Sequence, residues 1–138
     1  MNIDSIQNGI VIDHITAGKG MKLFELMKLD EAGVPVAIIM NAVSHKNGKK
    51  DIIKIDAPIA IDLDVIGFVD PGATVNIIRD GKLTEKKKVE LPRRLFNVIK
   101  CKNPRCISTT EQELPQIFDL TDPEKAVYRC HYCETKAQ

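Results

Sequence analysis

The chain has 138 residues, 43 % of them hydrophobic and 28 % charged, and carries a formal net charge of +1. That is enough apolar material for one medium domain or two small ones, and the near-neutral charge argues against affinity drawn from a broad basic surface on nucleic acid. Aromatic residues at only 4 % and the lack of tryptophan imply an aliphatic core.

The N-terminal string MNIDSIQNG is polar and acidic. It has neither the basic nor the apolar region of a signal peptide. Apolar runs such as VPVAIIM are far too short to span a bilayer. A cytoplasmic setting without membrane contact is expected, and there paired cysteines are more often metal ligands than disulfides.

GIVIDHI, residues 9–15, alternates and reads as a strand, with Ile10, Ile12 and His14 on one side and Val11, Asp13 and Ile15 on the other. In a regular strand Asp13 and His14 point to opposite faces and cannot pair directly. TAGKG, residues 16–20, reads as a strand-to-helix turn. It resembles a phosphate loop only faintly, lacking the length and the hydroxyl residue after the lysine. MKLFELMKL, residues 21–29, places Leu23, Leu26 and Met27 at helical spacing, with Gly33 offering a stop. PVAIIMNAV, residues 35–43, reads as a buried strand; Asn47 and Gly48 signal a hairpin; DIIKI, residues 51–55, returns as its partner. The stretch PIAIDLDVIGFVDPG reads either as a short second helix or as irregular chain. ATVNIIR, then Asp80 and Gly81, then KLTEKKKVEL forms a second hairpin. The expected fold is α+β: an antiparallel sheet of about five strands with one or two helices on one face, followed by a small all-β domain holding four cysteines.

The division falls near ELPRRL, residues 90–95, with Pro92 as a hinge that cannot extend a strand ladder. The expected domains are 1–92 and 93–138. All four cysteines lie in the second, as Cys101-x4-Cys106-x23-Cys130-x2-Cys133. Two short clips separated by a returning loop put four sulfurs around one point, which suits one structural zinc in a domain without a large core. Four free thiols in a core, iron in a similar site and disulfides are the rival readings. His131 sits inside the second clip but reads as a loop residue, since four sulfurs complete the shell. A closed shell leaves no position for water and activates nothing. No hydrolase, metalloprotease or nucleotide-hydrolysis motif is present, so no enzyme activity is expected.

Lys54 interrupts the apolar pattern of DIIKI, and Lys86, Lys87 and Lys88 run along the last strand. One reading is a solvated, aggregation-resistant edge. The other is that Lys54 meets one of these lysines on the open face of the sheet and binds a phosphorylated anion. The basic residues Arg93, Arg94, Lys100, Lys102 and Arg105 support an alternative, a zinc-ribbon nucleic-acid-binding protein.

The strings IDHI, KDIIKI, PGATVN, CKNPRCIS and RCHYCE, in order and with matching spacing over nearly the whole chain, resemble the family of aspartate carbamoyltransferase regulatory chains. The resemblance implies a non-catalytic subunit that pairs as a dimer and bridges catalytic trimers in pyrimidine synthesis. It implies that the first domain binds the nucleotide effectors CTP, UTP and ATP, and that the zinc domain docks onto the catalytic chain, with no nucleic-acid partner. By the same alignment Lys54 and Lys86 contact the nucleotide, Asp13 the ribose and His14 the phosphates. Asn76 and Ile78 line the pocket, while Ile6 and the backbone near Asp4 read the base edge. Cys101, Cys106, Cys130 and Cys133 match the four metal ligands. Three features depart from the family pattern. Residues 58–70 form a shorter stretch without a clear helix-capping run, Gly81 replaces a larger residue of some members, and the run of three lysines allows a one-residue slip.

Overall fold

A computed structural model describes residues 5–45 and 48–137. The chain forms two compact units, Met1–Glu90 and Leu91–Gln138. Among the described residues no helix is long and apolar enough to cross a membrane.

The first unit is built on a five-stranded antiparallel sheet. Its strands are β1 (Gly9–Thr16), β2 (Val36–Ser44), β3 (Gly48–Ile55), β4 (Thr74–Arg79) and β5 (Lys82–Lys88), in the order β2-β3-β1-β4-β5. Period-two alternation divides each strand between two faces. Ile10, Ile12, Ile53, Ile55 and Val75 fall on one face and are all but fully buried. Helices α1 (Gly20–Leu26) and α2 (Leu63–Val69) supply Leu23, Val65, Ile66 and Val69 to the same core. The resulting core is aliphatic, as the composition requires.

Helix formation departs from the sequence reading at two places. The single helix expected over residues 21–29 ends at Leu26, because Lys28 turns left-handed at φ 53° and a short 3-10 turn, Leu29–Glu31, follows. Its stop is therefore Lys28 rather than Gly33. The ambiguous stretch does contain a helix, and it is capped: the Asp62 carboxylate accepts the Asp64 N–H at 2.9 Å. A short polar side chain before an apolar run is a standard helix start, so the apparent lack of a capping run does not hold here. Gly67 lets this helix approach the main chain closely, since a Cβ there would collide with the Glu90 carbonyl.

Two buried aspartates fix the turn between β1 and α1. Asp51, 1 % exposed, accepts N–H bonds from Gly18 and Gly20 at 3.0 Å each and from Asn41 at 3.1 Å. Asp70 accepts the Thr16 N–H at 2.6 Å. Of the TAGKG amides that could have cradled a phosphate, those of Gly18 and Gly20 are thus bonded to Asp51, that of Thr16 to Asp70, and that of Lys19 to the Thr16 carbonyl, as in a turn. Asn41, at φ 60°, sits in the bulge of β2 that Asp51 also holds. The β4–β5 hairpin turns through Asp80 and Gly81, both at positive φ, as an Asp-Gly pair favours. At the β2–β3 hairpin Gly48 has φ 80°; Asn47 lies outside the described residues.

The second unit carries a three-stranded antiparallel sheet, β6 (Arg94–Phe96), β7 (Ile117–Asp122) and β8 (Val127–Cys130), with one helical turn, α3 (Ile107–Thr110). Leu95, Phe118 and Cys130 lie in register across it. Its core is small: Leu95, Phe118 and Tyr128 are buried together with Cys106 and Cys130. The Tyr128 hydroxyl is not left orphaned, as it donates to the Pro92 carbonyl at 2.6 Å.

Candidate ligand face and metal centre

The face of the five-stranded sheet opposite the helices carries polar groups in register. Lys54 of β3 lies opposite Val11 of β1, Val11 opposite Asn76 of β4, and Asn76 opposite Lys86 of β5. One row thus runs Lys54, Val11, Asn76, Lys86. Strands spaced about 4.8 Å apart place the two lysine backbones about 14 Å apart, and their long side chains can close over whatever lies on Val11 and Asn76. Lys86 and Lys88 share this face, whereas Lys87 opposes the buried Val75 and bonds Glu85 at 3.4 Å. Asn76 Oδ1 is buried and has no hydrogen-bond partner among the described residues. An orphaned buried carbonyl costs roughly 1–3 kcal/mol, so its position in the middle of this row is an invitation to a donor.

Asp13 stands one pleat further along the same face and forms an ion pair with Lys50 at 2.9 Å. His14 was expected on the other face. A register shift in β1 between Ile12 and Ile15, with His14 at φ 98°, breaks the alternation. The imidazole instead lies 3.7 Å from Asp13 and 3.3 Å from the Thr74 hydroxyl. The expectation that Asp13 and His14 cannot approach is therefore overturned, because a bulge redirects one side chain where pure alternation would not. A cavity of 460 Å³ adjoins them, lined by His14, Thr16, Ser44, Lys49 and Lys50 among others. Ile78 is half-buried opposite Gly9, and Ile6 is 6 % exposed. Asp4 lies outside the described residues.

Lys50 and Thr74 escaped the sequence reading. Lys50 could have been found, for it has the same parity as Lys54 on β3. Thr74 becomes visible only through the bulge.

In the second unit the four cysteine sulfurs lie within 4.8 Å of one another. Two pairs stand at 3.6 Å, Cys101 with Cys133 and Cys106 with Cys130. Both pairs cross from one clip to the other. Four sulfurs at about 2.3 Å from a tetrahedral ion would be about 3.8 Å apart, so the donor set is already shaped for a metal. The sulfurs are far beyond bonding distance for disulfides, which sets that rival aside. The hydrogen bond shared with Thr135 foremost holds the Cys133 thiol down at about 6, while burial foremost pushes its partner Cys101 up. His131 is not in the sulfur cluster: its Nδ1 lies 2.7 Å from Asp119, which also takes the Arg94 guanidinium at 2.6 Å. Burial would raise the Asp119 carboxyl, but the bonds from His131 and then Arg94 outweigh it and hold it below its ordinary value.

Comparison with known proteins divides the chain in a related way. Residues 1–90 match the family model described as the aspartate carbamoyltransferase regulatory chain, allosteric domain. Residues 93–138 match that of its metal binding domain. Similar proteins include the aspartate carbamoyltransferase regulatory chains of Clostridium acetobutylicum, 52 % identical over 97 % of this chain and 92 % of the relative, and of Clostridium botulinum strain Hall, 54 % identical over the same shares. That of Bifidobacterium longum is 49 % identical over 100 % of this chain and 99 % of the relative.

Proposed function

This chain belongs to the family of aspartate carbamoyltransferase regulatory chains, a non-catalytic family, and from that premise we propose that it senses a nucleoside triphosphate on the open face of its first unit and passes the signal to a catalytic chain through its second. The carrying observation is the row Lys54, Val11, Asn76, Lys86, with a buried acceptor at its centre that has no partner among the described residues. The two lysines supply charge-assisted bonds to phosphate oxygens. Asn76 Oδ1 accepts from a sugar hydroxyl or a base amino group. Asp13 takes a ribose hydroxyl, and His14, beside the cavity lined by Lys49 and Lys50, extends the anion site toward the end of the polyphosphate. Ile78 and Ile6 supply apolar contact to the base. CTP, UTP and ATP are the candidate effectors.

Control follows from unequal binding to two states of the assembly, since a ligand shifts an equilibrium only by its differential affinity. A coupling of about 1–3 kcal/mol is the usual scale. Residues 90–95 join the two units and carry the coupling. The second unit, shaped by one structural zinc on Cys101, Cys106, Cys130 and Cys133, docks on the catalytic chain. Its exposed Phe96 and Ile107, 57 % and 54 % accessible, suit such a contact. The β2 edge of the first unit, with Met40 and Val43 at 57 % and 80 % exposure, suits pairing with a second copy. The setting is cytoplasmic. A nucleic-acid ribbon is the weaker reading, because Arg94 is already bonded to Asp119.

Calorimetric titration with CTP, UTP and ATP tests the site. Lys54→Ala is expected to weaken triphosphate binding about 10- to 100-fold, the value of one charge-assisted bond, with assembly intact. Unchanged binding in that variant would remove Lys54 from the site.

A further inference from the structure

Both cysteine clips end in the same local pattern. Cys106 is followed two residues later by Ser108, and Cys133 two residues later by Thr135. In each case a hydroxyl and a sulfur are in contact: Ser108 Oγ and Cys106 Sγ lie 3.0 Å apart with either atom able to donate, and the Cys133 thiol donates to Thr135 Oγ1 at 3.2 Å. Neither hydroxyl is a casual surface group. Ser108 is 3 % exposed, and its carbonyl takes the Gln116 side-chain amide at 2.9 Å. Gln116 in turn accepts the Cys101 N–H at 2.8 Å, so Ser108 is tied to both cysteines of the first clip. The Thr135 carbonyl accepts the Cys130 N–H at 2.9 Å, which ties it to both cysteines of the second. Each cross-clip sulfur pair, Cys101 with Cys133 and Cys106 with Cys130, thereby contains one sulfur bonded to a hydroxyl.

The direction of these bonds is decided by the metal. A thiol can donate to a hydroxyl oxygen, but a metal-bound thiolate has no proton, so the hydroxyl must donate. Four thiolates on one divalent ion leave two excess negative charges in a poorly solvated place, and each donated proton draws electron density from one sulfur. We propose that Ser108 and Thr135 are positioning residues of the metal centre, donating to the Cys106 and Cys133 thiolates so that the four-sulfur site holds its metal longer than sulfur ligation alone would allow. This rests on the reading of the cluster as a metal site.

The test uses the full chain loaded with Zn²⁺ or with Co²⁺. Thr135→Val keeps the shape and removes the hydroxyl; Thr135→Ser restores it; Ser108→Ala removes the other. Loss of a donor raises the energy of the sulfur lone pairs, so the sulfur-to-cobalt charge-transfer band of Thr135→Val and Ser108→Ala is expected to move to longer wavelength. Zinc release to a coloured chelator is expected to speed up about 10-fold in each, the lower end of effects seen for groups that orient metal ligands. Thr135→Ser should behave like the parent chain. Unshifted bands and parental release rates in both donor-free variants would overturn the proposal. So would faster release that Thr135→Ser fails to restore, since that pattern reports packing rather than hydrogen bonding. A parent chain that takes up neither ion would overturn the metal reading itself, a failure distinct from that of the two hydroxyls.

Discussion

The two units stay folded by opposite means. The first buries Ile10, Ile12, Ile15, Leu23, Ile53, Ile55, Val65, Ile66, Val69 and Val75 between a sheet and two helices. At about 1.5–3 kcal/mol for each large aliphatic group removed from water, that core can offset the ordering of its chain without a cross-link. The second buries Leu95, Phe118 and Tyr128 around its cysteines, too little for a segment of this size to fold without a staple. The contrast fits the placement of function proposed above. A unit with an ample core on one face can leave the other face polar and partly unsatisfied, ready for a ligand. A unit that depends on its metal has a fixed surface whenever the metal is bound, and that surface is suited to docking.

The largest test of the contrast is removal of the metal. Structural zinc contributes on the order of 10 kcal/mol or more to small domains. Chelation, or Cys130→Ser, is therefore expected to abolish amide protection in Leu91–Gln138 while Met1–Glu90 keeps its own. Equal loss in both units, followed by hydrogen exchange, would contradict two independent cores. The reciprocal change is smaller. Ile53→Ala, in the centre of the first core, should cost about 2–5 kcal/mol in denaturant unfolding of the first unit and leave metal affinity as it was. Coupled loss of metal in that variant would erase the distinction.

The smallest expected effect concerns Asp119, which ties Arg94 of β6 to His131 at the end of β8 on a partly exposed surface. Asp119→Asn should cost about 0.5–1 kcal/mol, as for other surface ion pairs. Because the carboxyl is held below its ordinary value, its contribution is complete at neutral pH. It is lost as the pH falls from the ordinary carboxylate value through that lowered one. The stability gap between parent and variant, read from thermal melts, should therefore close under strongly acid conditions. A gap that persists there undiminished would reverse the sign of the assignment.

Much of this was legible in the residues because it depends on period and spacing. Alternation along DIIKI fixed which side of β3 faces the core, so Lys54 could be assigned to the open face. The cysteine spacing brought four sulfurs together before any tertiary information. What escaped were features set by long-range contacts. The bulge that turns His14 toward Asp13 has no local signature in IDHI. The helix at Leu63–Val69 was obscured because Asp62, its cap, stands among other acidic and apolar residues that also fit a loop. Asp51 reads as an ordinary strand carboxylate, and only the fold brings Gly18, Gly20 and Asn41 to it. The hydroxyls at Ser108 and Thr135 were in plain sight, but their partner atoms become evident only with the clips folded.

The most direct test is a nuclear magnetic resonance titration of the isotope-labelled full chain with CTP. The side-chain amide of Asn76 and the methyl groups of Val11 should shift first and saturate together, with the Lys86 strand following. Saturable CTP binding that leaves Asn76 and Val11 unshifted, or that perturbs the cysteine unit instead, would contradict the account.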